Sequence, residues 1–591
     1  MRIPAIAALG ILLALAGCER ERAPATETTE SLDQPAVATP PAAAPDTLTA
    51  MPGEHTFGPE ISAEDYTQHV RVLASDEFGG RAPGTPGAQR TVDYLIAQFE
   101  RLGLEPGNGD SFVQAVPMVR SEAAPDTTLT LTVKGEPATL RQGEEMVLVT
   151  RTAQAEVNVA DSEMVFVGYG VVAPEANWND YAGIDVDGKT VVMLVNDPGF
   201  HAGDPQLFGG ERMTYYGRWT YKYEEAARQG AAAALIIHDS AGAGYGWDVV
   251  KNSWTGAEFD LPVEVDPAPR VPLQGWLTQE AAQQLFQRAG LDLAALREAA
   301  GKPGFKAVPM DGASFAATLK TSTEASESRN VLALLRGTTK PEEIVVYLAH
   351  WDHLGTNPNM EGDQIFNGAI DNAGGVAGLL EIAEAFVTAN EKPQRSVLFM
   401  PVTLEESGLL GAKYYVANPA FPLEDTVAAI NLDALRGEMV GPTRDMVVIG
   451  YGASELEDIL ARAAESQQRT LAAEAEPEKG FYYRSDHFNF AKAGVPALYA
   501  KSGIDHVDRG REYGLAQQQR YTDERYHKPN DEYDPSWDLR GIVQDLQLLH
   551  AVGRTLAADP ALWPNWREGN EFRAARDAMR KPAGSAAAAA E

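Results

Sequence analysis

Residues 344–353 read Ile-Val-Val-Tyr-Leu-Ala-His-Trp-Asp-His. Six apolar residues, rich in β-branched and aromatic types, have the length and composition of a strand buried on both faces. The run then ends on His350, Asp352 and His353, side chains suited to chemistry rather than packing. Two other runs end the same way: residues 397–403 lead into Glu405-Glu406, and residues 427–432 lead into Asp433. A further run, 495–500, has the same composition, while 373–389 and 456–465 carry apolar residues at helical spacing. Strands alternating with helices predict an α/β fold, a doubly wound and mostly parallel sheet flanked by helices. In such sheets sites form in the crevice beyond the carboxyl ends of the strands, so these polar ends are expected to converge. Asp371 joins them from Asp371-Asn372-Ala373-Gly374-Gly375, just before a helix, where the helix dipole favours a carboxylate.

A crowd of carboxylates requires positive charge. Asp352, Asp371, Glu405, Glu406 and Asp433 in one crevice would repel and raise one another's pKa. Two divalent cations would remove that conflict, and His with carboxylate ligands suits zinc. The chain has one cysteine, which excludes a thiolate zinc cluster and an internal disulfide framework. A second histidine is therefore required, and Tyr526-His527-Lys528-Pro529-Asn530-Asp531 supplies it. No Gly-x-Ser-x-Gly elbow and no His-Glu-x-x-His helix occurs, which removes the serine hydrolase and zincin alternatives. The Gly168-Tyr169-Gly170 and Gly244-Tyr245-Gly246 pairs lack the rest of a dinucleotide fingerprint.

His350-Trp351-Asp352-His353-Leu354-Gly355, Asp371-Asn372-Ala373-Gly374-Gly375, Glu405-Glu406-Ser407-Gly408, Asn431-Leu432-Asp433, Arg484-Ser485-Asp486-His487 and Tyr526-His527 follow in that order. The series resembles M28-type metallopeptidases, and the likeness runs from about residue 62 to 560. The resemblance implies two zinc ions per chain, one on His350, Asp371 and Asp433, the other on Asp371, Glu406 and His527, with Asp371 bridging. It implies that Glu405 is the general base, taking a proton from a metal-bridging water and passing it to the leaving amine. Asp352 would hold the His350 ring through its other nitrogen. Arg484 and Tyr526 would support the substrate or the oxyanion. The middle of the chain is similar to a protease-associated (PA) domain, a β-rich insertion that makes the peptidase domain discontinuous. That region holds no His and carboxylate cluster and is assigned no chemistry.

The ends and the charge complete the reading. With 84 acidic and 49 basic residues the net charge is −35, which argues against nucleic acid as a partner. Residues 3–16 are apolar but too short to span a bilayer, and Leu15-Ala16-Gly17-Cys18 resembles a bacterial lipoprotein signal. The expected organisation is a signal peptide over 1–17, a flexible tether over 18–56, peptidase segments over 57–125 and 321–565, the PA-like insertion over 126–320, and a tail over 566–591. The expected location is the bacterial cell envelope, with the membrane reached only through lipid on Cys18.

Among the other histidines, His353 and His487 are expected to be supporting rather than ligating, and His506 is a candidate to face the cleft. His55, His69, His201, His238 and His550 lack carboxylate surroundings and read as packing or surface residues. The expected function is an exopeptidase that removes N-terminal residues, because a carboxylate-rich site suits an ammonium group. The alternatives are a carboxypeptidase or dipeptidase of the same fold, or a non-catalytic lipid-anchored binding protein. A carboxypeptidase would want convergent cations, and the motif loops offer mainly Arg484, with Lys501 and Arg436 behind it.

Overall fold

Four strands, Arg395–Val402, Lys340–His350, Thr426–Asn431 and Ala497–Ser502, lie side by side in that order and run parallel. They are the four apolar runs of the sequence. Successive side chains of a strand face opposite ways, and here both sets are buried. Val345 and Tyr347 join a core with Leu379 and Ile382 of helix Gly374–Thr388 and Leu546 and Leu549 of helix Arg540–Ala558. Ile344, Val346 and Leu348 face the other way, into a core with Tyr415 and Phe490. Helices thus cover both faces of the sheet. Asp445–Val448 and Thr470–Ala473 extend one edge, and Ala333–Leu335 with Glu105–Pro106 the other, to make eight strands.

The computed structural model describes residues 55–580 apart from 203 and 205. The apolar start, the Cys18 box, nearly all of the tether and the alanine-rich end lie outside the described residues. Among those described, no helix is long and apolar enough to cross a membrane. Residues 566–580, expected as tail, are packed instead. Trp566 is fully buried and its indole N–H donates to the Gly494 carbonyl at 3.0 Å, and helix Arg573–Met579 follows. A large aromatic finds more free energy in burial than a low-complexity tail can offer, and Trp566 and Phe572 were the signal to weigh.

A second sheet draws its strands from residues 113–331. Its spine is the 24-residue strand Val308–Val331, which pairs antiparallel with Glu156–Phe166 early and with Val113–Ala123 late. Glu156–Phe166, Thr190–Leu194, Ala233–Ile237 and Leu273–Leu277 are parallel neighbours. Parallel neighbours need crossover connections, and helices Trp219–Arg228, Trp247–Trp254, Gln279–Ala289 and Leu293–Ala300 lie among these strands. The insertion expected to be β-rich therefore carries helices as well as strands.

The N-terminal segment packs with the first sheet. Ser62 caps helix Ala63–Leu73 by accepting from the Asp65 N–H, and Thr85 caps helix Pro86–Arg101, with Pro86 in its first turn. Tyr66, Leu73, Leu95 and Phe99 enter the core that holds Val345. Between these helices Gly80, at φ 66°, presses so close to the chain that a Cβ would meet the Gly355 carbonyl oxygen at 2.4 Å. Next to it the Arg81 guanidinium, 1% exposed, donates to the carbonyls of Leu73 (2.7 Å), Trp351 (2.8 Å), Asn367 (2.6 Å) and Gly368 (3.0 Å). Two of those carbonyls flank the motifs of His350 and Asp371. Burial draws Arg81 down to about 10, while Asp531, Asp352, Asp371 and Glu406 favour its charge. Arg81→Met should leave four buried carbonyls without their donor and destabilise the fold by about 3–5 kcal/mol. The midpoint of a urea titration checks this, and a shift within experimental error would show that Arg81 is not a tie.

Candidate metal centre

Each ligand-type side chain sits where a central strand stops or a helix begins. His350 ends its strand, Glu405 and Glu406 follow Val402, Asp433 follows Asn431, and Asp371 precedes helix Gly374–Thr388. His527 arrives from the loop after helix Gly510–Glu524. The six converge. Asp371 lies centrally: its Oδ1 is 3.2 Å from His350 Nε2 and its Oδ2 is 3.6 Å from His527 Nε2. Asp433 Oδ1 is 3.5 Å from the same His350 nitrogen, and Glu406 Oε2 is 3.0 Å from the same His527 nitrogen. Two donor sets therefore share one carboxylate. Glu405 also brings an oxygen within 4.8 Å of donor atoms from His350 and Asp433.

The donor atoms suit cations. His350 Nδ1 lies 3.1 Å from the carbonyl oxygen of Asp352. That oxygen can only accept, so Nδ1 carries the proton and Nε2 turns a lone pair into the cluster. Nε2 is buried and has no hydrogen-bond partner among the described residues. Asp352 thus meets His350 through its main chain. Its carboxylate accepts from the Glu405 N–H at 3.2 Å, which steadies the loop of that glutamate. Burial lowers the affinity of His350 for a proton, but Glu405, Asp371 and Asp433 outweigh it and hold the ring well above its usual pKa. The surroundings demand positive charge at that point.

The two adjacent glutamates occupy opposite environments. Burial pushes the Glu405 carboxyl well above the usual range, with Glu406, Asp433 and Asp486 adding to it and His350 opposing. Burial acts on Glu406 too, but His527 and His353 hold it well below the usual range. His353 Nδ1 is 2.6 Å from Glu406 Oε1, the oxygen turned away from His527.

Neutral and buried groups lock the loops. The Asn372 amide donates to the Leu432 carbonyl at 3.0 Å and the His350 carbonyl at 3.3 Å. Its oxygen accepts from the N–H groups of Gly375 (3.0 Å) and Ala434 (3.2 Å). One amide therefore ties the segments of His350, Asp371 and Asp433 together. Asp531, which burial raises to about 7, accepts from the N–H groups of Ile370 and Asp371. Asp486 is buried with neither oxygen partnered, and burial first, then Asp352, Asp433 and Glu406, keeps it well above the carboxylate range against His350.

The remaining sequence candidates fall elsewhere. His487 packs against Tyr499 and Tyr482, and burial pulls it down to about 3. His506 does not face the cluster: its Nδ1 accepts from the N–H groups of Asp508 and Arg509 in its own loop. The Tyr526 ring lies 4.1 Å from that of His527. Arg484 donates to the Ala243 carbonyl at 2.7 Å and lies over Tyr245.

The middle region, given no chemistry from sequence, reaches the centre. Ser253 Oγ is 2.8 Å from His527 Nδ1, and the Asn252 amide donates to the His527 carbonyl at 3.1 Å. Both sit in or beside helix Trp247–Trp254. A serine and an asparagine in a polar helix carry no sequence signal for this role, since the partner is 274 residues away.

A doubly wound sheet thus presents paired sets of His and carboxylate donors at its carboxyl edge. Residues 330–550 match the sequence profile described as Peptidase family M28. Leupeptin-inactivating enzyme 1 of Streptomyces exfoliatus is 28% identical over 215 residues, 35% of this chain and 45% of that protein. A probable zinc metalloprotease of Pyrenophora teres f. teres is 36% identical over 104 residues, 17% of this chain and 22% of that protein. The chain thus spans less than half the length of these curated relatives. The solved aminopeptidase from Aneurinibacillus sp. strain AM-1 has the same fold, with a TM-score of 0.50, 20% identity, and coverage of 85% of this chain and 96% of that one.

Ser253→Ala should weaken metal retention by about 10- to 100-fold, because the partner of a ligating imidazole fixes its orientation and tautomer. Zinc titration against a competing chelator reads this directly. Retention equal to that of the parent protein would remove Ser253 from the role.

Proposed function

We propose that the chain is a zinc-dependent exopeptidase that hydrolyses N-terminal residues from peptides and binds two zinc ions. The observation that carries this reading is the position of Asp371, with one oxygen toward His350 and the other toward His527. One set would be His350, Asp371 and Asp433, the other Asp371, Glu406 and His527. His and carboxylate donors in threes suit catalytic zinc, which supplies Lewis acidity and a more acidic water. The name of the Pyrenophora relative, a probable zinc metalloprotease, supports the same metal.

Glu405 is the general base in this reading. Its carboxylate, with an oxygen within 4.8 Å of donor atoms from His350 and Asp433, is placed to accept a proton from the attacking water and deliver it to the amine that leaves. The hydrogen bond from its N–H to Asp352 fixes the loop from which the side chain acts. Glu406, held ionised by His527 and His353, serves as a ligand instead. The carboxylate-rich crevice favours an α-ammonium group over a blocked terminus. The Leu15–Cys18 box supports a lipid-anchored protein of the cell envelope, and residues 126–320 read as a PA-like insertion.

Glu405→Gln should retain both zinc ions and lose about 10²–10⁴-fold in kcat, whereas Glu406→Gln should lose metal. Elemental analysis beside peptide hydrolysis checks the pair, and the reverse pattern would exchange the two roles. Peptides with a free amino terminus should be cleaved and their N-acetyl counterparts should not. For the anchor, Cys18→Ser should move the protein from the membrane to the soluble fraction with its peptidase activity intact. Continued sedimentation after a high-salt wash would count against lipidation.

A further inference from the structure

A cleft of roughly 1110 Å³, part of it open to solvent, runs from Glu405, Glu406 and His527 to the helix Trp219–Arg228 of the second sheet region. Two guanidinium groups line it, Arg218 from that region and Arg484 from the peptidase loops. Arg218 is 8% exposed, its Nε is buried without a partner, and among the described residues its guanidinium makes no hydrogen bond or ion pair. Its charged and titratable surroundings are Arg484 and the hydroxyls of Tyr215, Tyr245 and Tyr526. Burial first, and then Arg484, draws Arg218 down to about 10, so it remains charged at neutral pH. Arg484 spends one N–H on the Ala243 carbonyl, and its Nε is likewise buried without a partner.

Of the acidic groups that line the cleft, Glu405 and Glu406 stand at its inner end among the side chains of the candidate metal centre, and Glu224 and Glu258 are engaged elsewhere. Glu224 accepts from the Tyr215 hydroxyl at 2.9 Å and faces Arg228 at 3.8 Å. Glu258 faces Arg151 and Asp260, and burial brings it to about 7. Lys501, by contrast, has Asp433 and Asp371 within electrostatic reach. Arg218 and Arg484 line one cleft and oppose each other's charge, a cost that an anion bound by both would relieve. A planar carboxylate is the group that two forked donors match.

We infer that Arg218 and Arg484 form a carboxylate subsite beside the scissile position, so that the preferred substrates are short peptides with a carboxylate just beyond the cleaved bond. This rests on the exopeptidase reading and specifies its substrate class. The carboxylate is either the C-terminal group of a dipeptide or an acidic side chain on the second residue. It also alters the expectation from the motif loops alone, where Arg484 stood without a strong partner. Arg218 comes from a region that sequence gave no chemistry.

The test compares Leu-Ala, Leu-Ala amide and Leu-Glu amide on the zinc-loaded enzyme. Leu-Ala, Leu-Glu amide or both should exceed Leu-Ala amide in kcat/KM by about 10- to 100-fold, the effect of a charge-assisted bidentate pair. The peptide that gains identifies which carboxylate is read. Arg218→Met should collapse the ratio toward one, and Arg218→Lys should retain part of it. Binding of the same peptides to zinc-loaded Glu405→Gln, by calorimetry, gives the ratio without turnover. Tighter binding of the carboxylate peptides without hydrolysis by the parent enzyme would uphold the subsite and sink the peptidase reading. Hydrolysis and binding that ignore the carboxylate, or an undiminished ratio in Arg218→Met, would overturn the subsite and leave the peptidase reading standing.

Discussion

Negative charge confined in a buried crevice is the constraint on which the rest of this structure depends. Asp352, Asp371, Asp433, Asp486 and Asp531 are all buried, and Glu405 and Glu406 lie half-buried beside them. Removing even one carboxylate from water costs several kcal/mol when it is unpaired. The fold answers with positive charge at several distances. His350 and His527 stand within 3.6 Å of the ligating oxygens, and Arg81 lies behind the loops. The paired donor sets leave room for cations between them. Parallel strands make such crowding feasible, because their carboxyl ends all open onto one edge.

Charge alone would not give a fixed geometry, and neutral groups supply it. Asn372 ties three ligand segments with both ends of its amide and adds no charge to a site that has too much. Asp531, which burial raises to about 7, acts on the same loop by accepting from the main-chain N–H groups of Ile370 and Asp371. Precision in a metal site comes from such supports as much as from the ligands.

The sequence made the sheet legible because four buried strands show as continuous apolar runs, and three of them end on ligand-type residues. The convergence of the His and carboxylate side chains was legible for the same reason. The supports were less so. Asn372 and Asp531 stood inside quoted motifs without a role, because a hydrogen bond between distant loops leaves no mark on either segment. Asp352 was expected to hold His350 by its carboxylate and does so by its carbonyl, a distinction that residue type cannot carry. The middle region was assigned no chemistry because Asn252 and Ser253, in the short helix Trp247–Trp254, belong to no His and carboxylate motif. At the far end Trp566 and Phe572 outweighed the low-complexity residues that follow them.

The second sheet region is where the site extends beyond the residues that match the M28 profile. The M28 match covers 330–550, whereas Arg218, Ala243, Asn252 and Ser253 lie before it. Yet Ser253 meets His527, the Ala243 carbonyl receives Arg484, and Asp248 pairs with Lys528, the residue after His527, at 2.6 Å. Arg151 adds a bond to the Ser407 carbonyl, directly after Glu406. These contacts fall on the same short segments that carry Glu405, Glu406 and His527. Any shift of the second region would therefore move a wall of the cleft and the orientation of His527 together. In this chain the groups that would hold metal and the groups that would select substrate are thus coupled through one interface. The residues that match the profile carry the donor cluster, and residues outside it line the cleft that leads there.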